Sequence, residues 1–166
     1  DLANEPESMA ARYSLQEKSQ ALIGGLKRTY GELEGQLAEV NTRITETTGS
    51  INELTASIAE LNVRISNAEV NGQEASDLRD SRDLAVDQLA SLIDINVHEQ
   101  ADGTINVYVG GDILVQRDLQ IEINVDRIST DPRNNVSLTL GSNLASWRPT
   151  GGQLGALMDH RDTQLT

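Results

Sequence analysis

The 166-residue chain carries 26 acidic and 13 basic residues, a formal charge of −13, and a surface of that sign repels nucleic acid and anionic membranes. It has no cysteine, which excludes disulfides, thiolate metal sites and cysteine nucleophiles. Aromatic residues make up only 2% of the chain, with no Phe, so burial must come from Leu, Ile and Val seams between long elements and not from a thick aromatic core.

No apolar stretch reaches the roughly 18 residues of a membrane helix. The N-terminus, Asp1-Leu2-Ala3-Asn4, has neither the basic nor the apolar region of a signal peptide. The chain reads as a segment of a longer protein.

A first helix is expected over about 8–70, with Pro6 upstream and Ser8 as its cap. Its signal is a heptad. One position reads Ile23, Tyr30, Leu37, Ile44, Ile51, Ile58, Ile65; the other reads Leu26, Leu33, Val40, Thr47, Leu54, Leu61. Only Thr47 interrupts the apolar series, while Glu32, Glu34, Glu39, Glu46, Glu53 and Glu60 occupy the other faces. A sustained 3.5-residue period places one apolar stripe against another helix. Gly24 and Gly25 lie off that stripe and cost about 1 kcal/mol each against Ala. Asn71-Gly72 supplies the stop.

A second helix is expected over about 75–94, with apolar positions Leu78, Ala85, Val86, Leu89, Leu92 and Ile93 and Ser76 as cap. The short linker folds it back antiparallel on the first. It is too short to cover the whole seam, which therefore needs further partners.

The period then changes from 3.5 to 2. Ile95, Val97 and Glu99 alternate up to Asp102-Gly103, an expected hairpin turn with positive φ at both positions. Ile105, Val107 and Val109 lead to a second turn at Gly110-Gly111, followed by Ile113, Val115, Leu119, Ile121, Ile123 and Val125. Asp131-Pro132-Arg133-Asn134-Asn135 is loop chemistry, and Val136, Leu138 and Leu140 form a last strand. This predicts one antiparallel unit of about five strands. After Pro149-Thr150-Gly151-Gly152 a returning helix carries Leu154, Leu157, Met158 and Leu165.

The fold class is therefore α+β: a long antiparallel coiled-coil stalk over 1–94, an inserted antiparallel β domain over 95–149, and a returning stalk helix over 150–166. The expected packing seam is Ile23, Leu26, Leu33, Leu37, Val40, Ile44, Ile51, Leu54, Ile58, Leu61 and Ile65. An internal echo flanks the β domain. Leu78-Arg79-Asp80-Ser81-Arg82-Asp83 and Leu157-Met158-Asp159-His160-Arg161-Asp162 share the pattern Leu-x-Asp-x-Arg-Asp. Arg at this position is suited to clamping a carboxylate or a carbonyl across the helix packing.

Nothing in the chain calls for catalysis, a metal or a cofactor. His98 and His160 lack ligand spacing, and His98 sits on an expected solvent-facing strand position. Asp80, Asp83 and Asp87 with Arg79 and Arg82 read as a solvated, ion-paired helix face. There is no calcium loop, phosphate loop or Gly-x-Ser-x-Gly.

Several blocks resemble a known family. Asp1-Leu2-Ala3-Asn4-Glu5-Pro6 with Ala10-Ala11-Arg12 resembles the helical start of flagellar axial proteins. Asp80-Ser81-Arg82-Asp83, Leu89 to Val97, Asp102 to Gly110 and Gly151 to Asp162, in that order, resemble the flagellar hook-associated proteins. The resemblance implies a secreted, extracellular structural subunit at the junction of hook and filament. It implies a ring assembled with the hook protein and a second junction protein, and an export chaperone acting through terminal segments beyond this sequence. Flagellin, another axial protein, or a coiled-coil binding module with a β recognition domain would share the helical features; the last predicts a dimer through residues 23–65.

Overall fold

A computed structural model describes residues 9–128, 135–143 and 145–164. The expected helix cap at Ser8, most of the loop at 131–135 and Leu165 lie outside them.

Helix α1 runs without a break from Met9 to Val70, 62 residues and about 90 Å at the helical rise. It ends in a Schellman arrangement. Gly72 takes φ +71°, its N–H donates to Glu69 O (2.9 Å), and Gln73 N–H donates to Ala68 O (2.9 Å). Helix α2, Ser76–Leu92, folds back on α1 and buries Ala85 and Leu89. Ser76 does not cap it: Ala75 holds the cap position without a side-chain bond, and the Ser76 hydroxyl donates to Glu74 Oε1 instead (3.0 Å).

The β domain has six strands in two sheets, not one unit of five. A meander of β1 (Asn96–Glu99), β2 (Ile105–Val109), β3 (Asp112–Gln116) and β4 (Leu119–Gln120) makes the first; β5 (Ile123–Arg127) and β6 (Val136–Leu140) make the second. The chain changes sheets at Ile121–Glu122, where Ile121 N–H donates to Leu114 O (2.8 Å) and Gly141 N–H donates to Glu122 O (2.8 Å). Leu119, named in the apolar series, is exposed on the two-residue strand β4.

Two local expectations change with the register. Glu99 pairs with Ile105, so the first hairpin is a five-residue loop; only Gly103 has positive φ (+74°), and Asp102 accepts from Thr104 N–H (3.2 Å) and its hydroxyl (2.6 Å). Val107 pairs with Val115 but Tyr108 with Ile113, so Leu114 is the extra residue of a bulge. The bulge turns both Leu114 and Val115 into the core and leaves Ile113 half-buried.

Helix α3, Gly152–Gln164, returns to lie on α1 and α2. Its start requires glycine: Gly152 has φ +69°, and a Cβ there would come within 2.5 Å of Ile93 Cα. One hydrophobic core joins all layers, with Ile44, Ile51 and Ile58 of α1, Leu89 and Ile93 at the end of α2, Val107, Leu114 and Val115 of sheet one, Leu138 of sheet two, and Leu154 of α3.

Candidate assembly surface

The heptad stripe of α1 divides in two. Leu37, Val40, Ile44, Ile51, Ile58, Leu61 and Ile65 are buried and Leu54 is half-buried. Their cover is α2, α3 and both sheets, so the lower seam finds β partners as well as helical ones. Ile23 (52% exposed), Leu26 (63%) and Leu33 (39%) have no such cover, and Leu22 and Tyr30 beside them are equally bare. The same stripe is thus a core in one half and a continuous apolar surface in the other.

A second heptad runs beside the apolar one. Asn41, Thr48, Thr55 and Asn62 are seven residues apart, polar and buried. This row went unread in the sequence, although its signal is visible: Asn and Thr recur at one heptad position without a charge.

The two asparagines of this row dock the β domain. Asn62 Nδ2 donates to Ile105 O (2.8 Å) and Arg117 O (2.8 Å), and Asn62 Oδ1 accepts from Ile105 N–H (3.0 Å). A side-chain amide here takes the place of a strand neighbour. It also stabilises Arg117, which has φ +56°, and whose N–H donates to Asn106 Oδ1 (3.1 Å). Asn52, on an adjacent line of α1, repeats the device at the start of β5: Nδ2 donates to Ile123 O (2.9 Å) and Oδ1 accepts from Ile123 N–H (2.9 Å). Gln120 closes the gap by donating to Asn52 O (2.7 Å) and Thr55 Oγ1 (2.9 Å).

Both arginines of the Leu-x-Asp-x-Arg-Asp echo point inward and clamp carbonyls. Arg82 Nη1 donates to Gly103 O (2.8 Å) and Asn62 Oδ1 (3.3 Å); Arg161 Nη1 donates to Val136 O (2.7 Å) and Asn41 Oδ1 (3.4 Å). Arg82 is only 3% exposed, which corrects its placement on a solvated face. Arg79 is ion-paired with Glu69 (2.6 Å) and Glu99 (3.0 Å), whereas Asp80, Asp83 and Asp87 are exposed. Burial pushes the Arg82 guanidinium below its ordinary range, against the opposing pull of Asp83. Asp162 is held below the usual carboxylate range. Burial pushes it up, but the hydrogen bond from Arg161 Nε (2.7 Å) and the charges of Arg161 and Arg148 outweigh that. Asp102 is lowered by the Thr104 hydroxyl bond and by Arg117.

His98 is exposed and meets Tyr108 edge-on, with ring centroids 5.5 Å apart. His98 and His160 lie on different elements, β1 and α3. Among the described residues no group of three His, Asp or Glu side chains is arranged to hold a metal, and no helix is long and apolar enough to cross a membrane.

A helical stalk that is half clad by its own β domain and half bare along one apolar edge defines a structural assembly module of the α+β class. The chain belongs to the flagellar hook-associated protein FlgK helical domain family, whose model matches residues 1–166. Among solved structures it is similar to the flagellar hook junction protein FlgK from Burkholderia pseudomallei, with 27% identity and a TM-score of 0.83 over 99% of this chain. The chain spans 31% of the length of that structure. No curated protein matches the chain at a significant level.

Proposed function

We propose that this chain is the stalk of a subunit that builds the junction between the flagellar hook and the filament, and that it works by packing and not by catalysis. The observation that carries this reading is the bare stripe of Ile23, Leu26, Tyr30 and Leu33 on a helix whose other half is clad by its own fold. An amphipathic helix lays such a stripe on other helices. Fully covering one Leu or Ile is worth about 1.5–3 kcal/mol, so a few such residues per subunit, repeated around a ring, make a firm joint.

Of the eleven seam residues, Ile23, Leu26 and Leu33 serve contacts between helices at assembly, and the other eight pack within the chain, where α1 meets α2, α3 and the β domain. The partners are segments of the same subunit outside this chain, neighbouring copies in the ring, the hook protein and a second junction protein. The subunit is secreted and works outside the cell, and an export chaperone holds the terminal segments before assembly. The β domain sits beside the stalk and leaves the bare half clear.

Adding the purified full-length protein to hooks that lack it tests the proposal. Restored filament growth supports it; failure to bind hooks overturns it. A coiled-coil module that closes the stripe by self-pairing would instead sediment as a stable dimer through residues 23–65.

A further inference from the structure

The two halves of the Leu-x-Asp-x-Arg-Asp echo share three kinds of bond at two heights on α1, and differ in the asparagine Nδ2, which donates to Ile105 O and Arg117 O from Asn62 but to Asn135 Oδ1 from Asn41. Asn62 and Asn41 are three heptads apart and occupy one heptad position. Each turns its Oδ1 to the first backbone N–H of a strand: Ile105 of β2 (3.0 Å) and Val136 of β6 (3.4 Å). Each receives Nη1 of the echo arginine, Arg82 from α2 (3.3 Å) and Arg161 from α3 (3.4 Å). Each arginine spends the same nitrogen on a backbone carbonyl, Gly103 O in the turn before β2 (2.8 Å) or Val136 O at the start of β6 (2.7 Å). The first set bonds to the four-stranded sheet and its turn at Gly103, and the second bonds to the two-stranded sheet.

We propose that Asn62–Arg82 and Asn41–Arg161 are two separate latches, one for each sheet, which position the β domain on the stalk and release it in two steps. Three features support separability. The sheets share no strand ladder: the backbone passes between them at the bent crossing at Ile121–Glu122, and otherwise they meet through side chains, in the common core and at Trp147. Each latch draws its arginine from a different helix. The latches also differ in closure: Asp162 accepts from Arg161 Nε at 2.7 Å, whereas Asp83 Oδ1 lies 3.8 Å from Arg82 Nε. A charge-assisted bond of this kind is stronger than a neutral one, and it is lost when lysine replaces the fork of arginine. Arg82 and Arg161 are thus positioning residues, acting through the two asparagines on the seat of a sheet.

Hydrogen exchange of the folded chain, followed by mass spectrometry at low urea, tests this. Arg161→Lys is expected to speed exchange of the β5 and β6 amides about tenfold and to leave β2 and β3 unchanged. Arg82→Lys is expected to do the reverse. Where a lysine variant does not fold, Asn41→Ser or Asn62→Ser reads the same latch. Equal acceleration of both sheets by either variant would show one cooperative unit and overturn the proposal. So would no change from any of the four.

Discussion

The upper and lower halves of α1 carry the same heptad but have different surroundings. In the lower half, Ile44, Ile51, Ile58 and Ile65 are fully buried. In the upper half, Ile23, Leu26 and Leu33 face outward. The interior glycines follow the same division: Gly24, Gly25, Gly31 and Gly35 are in the upper half, and only Gly49 is in the lower. Four glycines cost about 4 kcal/mol of helix propensity against alanine. The upper half therefore combines a weak intrinsic helix with an uncovered apolar stripe, and its order must come from what it packs against. A heptad states that a stripe wants cover; it does not say whether the cover lies in the same chain.

The largest effect that could break this comparison is a matched pair of truncations. Ile58→Ala should lower the stability of the folded chain by about 2–5 kcal/mol in urea unfolding, through a cavity in the shared core. Ile23→Ala should change it by less than about 0.5 kcal/mol. Comparable losses would mean that the upper half is held by the same core.

A pair of glycine replacements sharpens the comparison. Gly49 and Gly35 both have open space at the Cβ position. Gly49→Ala should raise the unfolding free energy by about 1 kcal/mol, because that turn unfolds with the core. Gly35→Ala should raise helicity in circular dichroism with little change in the unfolding midpoint.

The smallest effect belongs to the clad half alone. The folded-state pKa of Asp162 lies below its ordinary value, so its contribution is present above the unfolded pKa, about 3.9, and is lost as pH falls through the folded value. Because the carboxylate is partly exposed, Asp162→Asn should cost only about 0.5–1 kcal/mol at neutral pH. It should also flatten the loss of stability below pH 4 in acid titrations.

Much of this architecture was legible in the residues. The seven-residue repeat marked α1, Gly72 marked its end, and the Leu-x-Asp-x-Arg-Asp echo pointed to arginine clamps. The rest depended on tertiary packing. Arg82 looks like a surface residue because its neighbours Asp80 and Asp83 are; burial is decided by Asn62 and Gly103, which are distant in sequence. The bulge at Leu114 leaves no local mark, since an alternating pattern cannot show where one strand carries an extra residue. At the start of the second sheet Ile123 bonds through both its N–H and C=O to the Asn52 side chain, a contact across 71 residues that no local pattern shows.

The most direct test of the central claim is hook binding by the full-length protein carrying Ile23→Ser, Leu26→Ser and Leu33→Ser together. The account predicts an unfolding midpoint close to that of the unsubstituted protein, with hook binding lost or weakened at least about tenfold. Unimpaired binding by a folded triple variant would contradict it.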